Sequence, residues 1–595
     1  MEEKITEEEI IVENRQGAAV VDQMPESGSV ATRIRRELNF SLLGLSGVAV
    51  ILGVLVAYGA YGFRLSYGLF DQWVHGTGRI SPGLSQLLLL AMGGLFFGLI
   101  LKLLHWQRFR GPANVIIAVH EHEGRFKIKD GLITAVCDAL ALGLGASVGR
   151  YGPAVQLGAT VGAILGRIIG LTRTGLRVLL GCGVAAAISA SFNAPIAGVI
   201  FAHEVIIGHF SLRALAPITV ASVFAVGVTR YHGFEYVALK LTGETLHLVV
   251  WEYAVYALLG FAAAGVALVY MNGVLRAGEL ANRAHLPIWL QPALGGAMAG
   301  AVGWWVPEAL GLGENTMHVI LNPDTAASTY GIGLLAVLCV AKLLASVSCL
   351  GLRYPGGVFG PALFMGAALG GLGGFLAPFL DYQVCVLVGM GALIASVIGA
   401  PLATILIVFE LTENYQAATA VMIGVVAANA LVTRYYSRSI FHRQILRLGI
   451  DLERPREQRL MAARKVDEIM SRNDQGVRAQ STAADLQSFI ARGHEGDLFV
   501  VEGETRQLVG RLPLAALVGA RPEQTAKELC RPVKVFLQQS DDLWTGFLAM
   551  ENLVGYSLPV VADNTSMKLV GSVDESDFIA AYRKAVDQNR EEQAG

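Results

Sequence analysis

Long apolar stretches separated by short polar or Gly/Pro breaks run from about residue 40 to residue 434 and then stop. Five of them, 40–62, 86–104, 251–275, 287–308 and 332–349, are long enough to cross a hydrocarbon core of about 30 Å as single helices. Others, 154–170, 176–190, 193–207 and 400–411, read as too short or too interrupted to span alone. Broken helices are tolerated at membrane depth only where protein or a polar cavity covers their ends. The pattern therefore predicts an all-α polytopic membrane domain with broken and re-entrant helices. Near residue 455 the pattern changes. Strand-like runs (Leu498 to Val501, Leu508 to Gly510, Ser557 to Val561, Leu569 to Val573) alternate with helical ones (Asp485 to Ala491, Leu543 to Met550, Ser576 to Lys584). That alternation predicts a soluble α/β module, itself duplicated.

The apolar region also repeats. Gly149-Arg150-Tyr151-Gly152-Pro153-Ala154 matches Gly357-Val358-Phe359-Gly360-Pro361-Ala362 at a shift of 208 residues. Ala194-Pro195, Ala197 and Glu204 match Ala400-Pro401, Ala403 and Glu410 at a shift of 206. Two motif pairs in one order at nearly one offset predict two homologous halves, inverted in the membrane. Each Gly/Pro segment can end one helix and start another. A helix N-terminus carries about half a positive charge and unpaired N–H donors, so it attracts an anion without any lysine or arginine. Two such ends inside a membrane domain predict an anion pathway.

Composition narrows the class. In the 595 residues, 53% are hydrophobic, 16% charged, and mean hydropathy is +0.51. Most of the 69 glycines fall inside the apolar region, as close helix packing requires. A net charge of −2 argues against nucleic-acid binding. Six scattered cysteines read as small packing residues and one cytosolic thiol, with no metal-site spacing. The polar, acidic start reads as a cytosolic tail over residues 1–35. Arg33, Arg35 and Arg36, and the arginines between 434 and 459, place both flanks of the membrane domain (36–450) on the cytosolic side. The soluble module then covers 451–595.

These motifs resemble the CLC family of chloride channels and chloride/proton exchangers over about residues 40 to 585. Gly149 to Pro153 is similar to its Gly-Arg-Glu-Gly-Pro block, and Gly356 to Pro361 to its Gly-x-Phe-x-Pro anion motif. Phe192-Asn193-Ala194-Pro195-Ile196-Ala197-Gly198, and Ala400-Pro401-Leu402 with Glu413-Asn414-Tyr415, resemble two further blocks. The tail resembles a pair of CBS domains. The resemblance implies a homodimer in the bilayer with one pore per subunit for chloride or a similar anion. It implies pore residues at Gly149, Arg150, Tyr151, Gly152, Gly357, Val358, Phe359 and Gly360.

Departures from the family pattern bear on mechanism. The gating glutamate falls at Tyr151, and the inner proton glutamate of the exchangers falls at Val205. A phenol, with a pKa of about 10, stays protonated at neutral pH, whereas a carboxylate near 4 can gain and lose a proton. Tyr151 can donate a hydrogen bond to a halide but cannot carry protons, and Val205 cannot titrate. Passive, uncoupled conduction is the expectation; an exchanger with a different proton route and a non-conducting scaffold are the alternatives. The family's inner serine corresponds to Phe109, although Arg108 and Arg110 could instead form an electropositive mouth. Phe441 matches the pore-lining tyrosine, or is plain packing.

The remaining polar residues carry smaller expectations. Glu204 and Glu410 read as structural residues at helix ends. His203 and His209 read as surface or interface residues, and His120-Glu121-His122-Glu123 as a solvated loop. In the CBS pair only Asp577 fits a ribose-binding aspartate, since Ala516 holds that place in the first repeat. Adenosine nucleotide binding is thus possible at one site, and a structural role is favoured. No cofactor is required, and no constellation of nucleophile and base indicates an enzyme.

Overall fold

The computed structural model describes residues 42–75, 83–121, 124, 126–210, 212–233, 248–472, 476–490, 498–553 and 556–594. The tail 1–35 and residues His122 and Glu123 lie outside them. The chain divides into two units, residues 1–445 and 446–595.

In the first unit, nine helices among the described residues are long and apolar enough to cross a membrane. Two segments expected to be too short are among them: Tyr151–Ile169 has 19 residues and Arg173–Phe192 has 20. The polar residues at their ends, Tyr151 and Arg173, are helical, which the apolar count alone omits. Conversely, the expected long span 287–308 shrinks to Gln291–Trp305, between Pro287 and Pro307. Proline fixes φ and lacks an N–H, so it starts helices and cannot sit in their interior without cost. Pro195–Ile207 and Pro401–Thr412 are short, as expected.

The two halves share one element order. Tyr151–Ile169, Arg173–Phe192, Pro195–Phe201 (continued as a π-helical turn, Ala202–Ile207) and Leu212–Tyr231 correspond to Phe359–Leu376, Tyr382–Ile398, Pro401–Thr412 and Tyr415–Tyr435. The second helix of each set ends on a left-handed residue, Asn193 (φ 54°) or Gly399 (φ 71°). The first two helices of each set cross glycine against glycine. A Cβ on Gly158 would overlap the Gly183 carbonyl, and one on Gly389 the Gly366 carbonyl. Small residues at these crossings let the backbones meet, which supplies packing where no hydrophobic effect drives helix association.

Contacts between the halves are reciprocal. Glu410 Oε1 and Oε2 accept from the N–H groups of Ile196 and Ala197 at 2.9 and 2.8 Å. Glu204 Oε1 and Oε2 accept from those of Leu402 and Ala403 at 3.1 and 2.9 Å. Each glutamate thus closes the N-terminus of the short helix in the opposite half, the pattern a pseudo-two-fold axis produces. Both residues have the structural place expected of them. Replacing either by alanine strands two N–H donors and should cost about 2–3 kcal/mol, because hydrogen bonds to a charged group contribute about 1.5–3 kcal/mol each before solvent screening. Thermal unfolding in detergent should show the loss for Glu204→Ala and Glu410→Ala, with roughly half of it for the glutamine variants; unchanged melting would remove the capping role.

The second unit holds two three-stranded sheets of identical plan. In the first, β1 (Gly476–Arg478) is parallel to the central β2 (Leu498–Glu502), and β3 (Gln507–Leu512) is antiparallel to it. In the second, β4 (Leu537–Gln538), β5 (Ser557–Val561) and β6 (Leu569–Asp574) repeat this order. Register shifts fall at equivalent places, Val500/Val501 and Val560/Val561. Phe499, Val501 and Leu508 of one repeat pack with Val561 and Leu569 of the other. The duplication expected from the sequence is present; β1 and β4 were too short to be legible.

Candidate functional site

Three helix N-termini converge at the repeated Gly/Pro segments. Gly149 and Gly357 form an antiparallel bridge: Gly149 N–H donates to the Gly357 carbonyl at 2.7 Å, and Gly357 N–H to the Gly149 carbonyl at 2.9 Å. This bridge brings the starts of helices Tyr151–Ile169 and Phe359–Leu376 side by side. A Cβ on Gly152 would lie 3.1 Å from Gly357 Cα and 3.8 Å from Pro112 Cδ, so helix Pro112–His120 also begins here. Gly149, Arg150, Tyr151, Gly152, Gly357, Val358, Phe359 and Gly360 are all buried.

The helix ends differ in their caps. The N-termini at Pro195 and Pro401 are each closed by a glutamate from the other half. Among the described residues no side chain accepts from the first-turn N–H groups at Tyr151 or Phe359. Uncapped first-turn N–H groups in a buried place are the donors an anion would need.

Three aromatic rings fill this point. Tyr151 stacks on Phe192 at 4.1 Å between centroids with 17° between planes, and lies 4.8 Å from Phe359; Phe192 and Phe359 are 5.3 Å apart. All three are at most 4% exposed, so the rings close-pack against one another where the helix starts meet. Phe192 carried no expected role of its own. Its place just before the Asn193-Ala194-Pro195 break was the available signal.

Arg150 holds Tyr151 from one side. Its Nη1 donates to Tyr67 Oη at 2.9 Å and pairs with Glu314 Oε1 at 2.7 Å, and its Nη2 donates to Tyr151 Oη at 3.3 Å. The guanidinium also lies 5.1 Å from the Tyr151 ring centroid. Neither Tyr67 nor Glu314 was singled out in the sequence. Another buried cation, Lys342, donates to the carbonyls of Ala309 (3.1 Å) and Gly311 (2.7 Å) and lies over the Phe364 ring.

The other expected residues have the following surroundings. Phe109 packs edge-on to Phe97 (6.2 Å) and Trp106 (6.3 Å) within a hydrophobic cluster. Arg110 pairs with Asp130 at 3.0 Å and lies over Trp106. Phe441 is buried in the first turn of helix Ile440–Leu446. Val205 is half-buried in the π-helical turn. His203, expected at a surface or interface, is fully buried in the π-helical turn and stacked on Phe210; His209 is exposed. His120 is held by the Ile206 carbonyl at 3.1 Å and is not loose in a loop. In the second unit, Asp577 accepts a hydrogen bond from the Asp574 N–H at 3.1 Å, at the start of helix Glu575–Ala594.

A family profile described as voltage gated chloride channel matches residues 93–433. The chain belongs to this family, the CLC proteins. A ClcB-like chloride channel protein of Ralstonia nicotianae is 32% identical over 421 residues, covering 67% of this chain and 96% of the relative. The voltage-gated ClC-type chloride channel ClcB of an Escherichia coli strain is 28% identical, covering 67% and 97%. Among solved structures, a slow cyanobacterial Cl−/H+ antiporter matches with TM-score 0.59 at 21% identity over 69% of this chain and 99% of its own. A eukaryotic CLC transporter matches with TM-score 0.58 at 18% identity over 90% and 98%. These likenesses establish the CLC fold. This CLC protein is an integral, multi-pass membrane protein of an anion-transporting family.

Proposed function

We propose that this CLC protein is a gated anion channel, passing chloride or a similar monovalent anion passively and without proton coupling. The observation that carries the reading is Tyr151 at the meeting of the uncapped helix ends, packed between Phe192 and Phe359. A ring at that place blocks by packing and cannot exchange a proton at neutral pH. Val205, at the inner proton position, has no titratable group either. The anion is bound by helix-end N–H groups; separation of the Phe192 and Phe359 rings from Tyr151 opens the path. The protein is not an enzyme in this reading. It works as a homodimer with one pore per subunit and both termini cytosolic, and its CBS pair acts structurally without requiring a nucleotide.

Coupled exchange is the second reading. His203 favours it: fully buried two residues before Val205, it has no partner at Nε2 among the described residues. Two solved CLC proteins of like fold are also antiporters, one for chloride and one for fluoride.

Purified protein in liposomes separates the two. Under an outward chloride gradient with the voltage clamped by valinomycin, a channel releases chloride with no uphill proton movement. Protons moving uphill in fixed ratio to chloride would overturn the channel reading and point to His203.

A further inference from the structure

The hydroxyl of Tyr151 is held in a defined orientation although the pathway reading needs only its ring. Its oxygen accepts from Arg150 Nη2 at 3.3 Å, so the guanidinium occupies one side of the oxygen. A phenol oxygen has one hydrogen and two lone pairs. With a donor on the lone-pair side, the O–H hydrogen must point away from Arg150. Among the described residues no protein group accepts it, although Tyr151 is only 3% exposed. A buried donor without an acceptor is costly unless something passing through the site takes the bond.

The guanidinium itself is pinned. Tyr67 Oη accepts from Nη1 at 2.9 Å, and the Glu314 carboxylate pairs with the same nitrogen at 2.7 Å. Arg150 is 8% exposed at its side chain and Glu314 28%, so the carboxylate is the solvent-facing member of the pair. Glu314 starts helix Glu314–Leu321, behind Gly313 in the left-handed region (φ 73°). Its backbone therefore holds it independently of the Tyr151 segment.

We infer that Tyr151 donates its O–H to the permeating anion as a selectivity element, and that Glu314, through Arg150, is the positioning residue that aims it. This rests on the anion-conduction reading and deepens it. A single directed O–H rewards a small anion of high charge density more than a large diffuse one, because charge-assisted hydrogen bonds strengthen with the charge concentrated on the acceptor. Chloride is thereby favoured over nitrate or thiocyanate. The salt pair also cancels the charge of Arg150 at the site, so discrimination comes from the directed donor and the helix ends, not from a bare cation that would hold every anion tightly.

The test is the nitrate-to-chloride permeability ratio, from bi-ionic reversal potentials of the full-length protein in bilayers. Tyr151→Phe keeps the ring and removes the donor; the ratio should rise about fivefold to tenfold, less than the more-than-tenfold effect of a whole charge-assisted hydrogen bond because nitrate loses a weaker bond to the same donor. Glu314→Gln should raise it in the same direction by about threefold, and Glu314→Asp should return it toward wild type. Tyr67→Phe, which frees the other side of the guanidinium, gives a second route should Glu314→Gln fold poorly, with the same direction expected. An unchanged ratio in Tyr151→Phe overturns the donor role. A Glu314→Gln protein that melts lower yet keeps the wild-type ratio overturns the positioning role. Equilibrium bromide binding to the solubilised protein is measured alongside. If the wild type passes no anion, the conduction reading fails, and equal bromide affinity of wild type and Tyr151→Phe then overturns this inference separately.

Discussion

Replacing Tyr151 with alanine is expected to raise chloride efflux from liposomes by about tenfold to a hundredfold. The ring makes two aromatic contacts, with Phe192 at 4.1 Å and with Phe359 at 4.8 Å. Such pairs contribute about 0.5–1.5 kcal/mol each beyond their area burial. Losing both shifts a closed–open equilibrium by about 1–3 kcal/mol, and every 1.4 kcal/mol is tenfold. The helix-end N–H groups are backbone and survive the substitution, so anion binding persists while the ring is gone. Phe192→Ala removes the stacked partner and should move flux the same way by a smaller factor. Efflux unchanged in both variants would show that the three rings are ordinary core packing and that the gate lies elsewhere.

Gly149→Ala is expected to abolish anion flux, and to do so through the backbone. A Cβ at this position would overlap the Gly360 nitrogen and sit 3.1 Å from the Gly357 carbonyl oxygen. Those neighbours are main chain and cannot turn aside as a flexible side chain would. Relief requires the two Gly/Pro segments to separate, which breaks the reciprocal Gly149–Gly357 hydrogen bonds and pulls two helix starts apart. Unmaking two buried backbone bonds with no water to replace them costs about 2–6 kcal/mol. Flux should be lost even where the protein still assembles in the membrane, and size-exclusion behaviour beside the efflux assay distinguishes lost site from lost fold. A fully active, normally folded Gly149→Ala protein would sink the convergence geometry as the basis of the site. Gly111→Ala serves as the control, because nothing lies within 4 Å of its Cβ direction.

Apolar count and helical conformation part company at the ends of several helices. Tyr151 and Arg173 begin long helices although they are polar, whereas Pro307 cuts short a stretch that hydropathy alone would carry to residue 308. His203 illustrates a second kind of gap. The sequence suggests a surface or interface place for it, but it lies in a π-helical turn and is fully buried. Phe109 packs against Phe97 and Trp106, neighbours that its match to a family block does not name.

What the sequence determined by itself is the part of this protein that depends on local chemistry. Gly/Pro segments start helices wherever they stand, a repeat at shifts of 206 and 208 residues is visible without coordinates, and a tyrosine or valine cannot ionise at neutral pH whatever surrounds it. The broken-helix membrane domain and the duplicated α/β module followed from those properties alone; that Tyr151 and Val205 correspond to the exchangers' two proton glutamates is what the resemblance to the CLC family implies. Only the tertiary structure decided which distant residues meet. It set Phe192 against Tyr151, gave each half's glutamate to the other half's helix, left the Tyr151 and Phe359 ends uncapped, and placed Glu314 on Arg150. Partners such as these are separated by tens to hundreds of residues, and no spacing within one chain encodes a contact that exists only once two half-domains pack around a common axis.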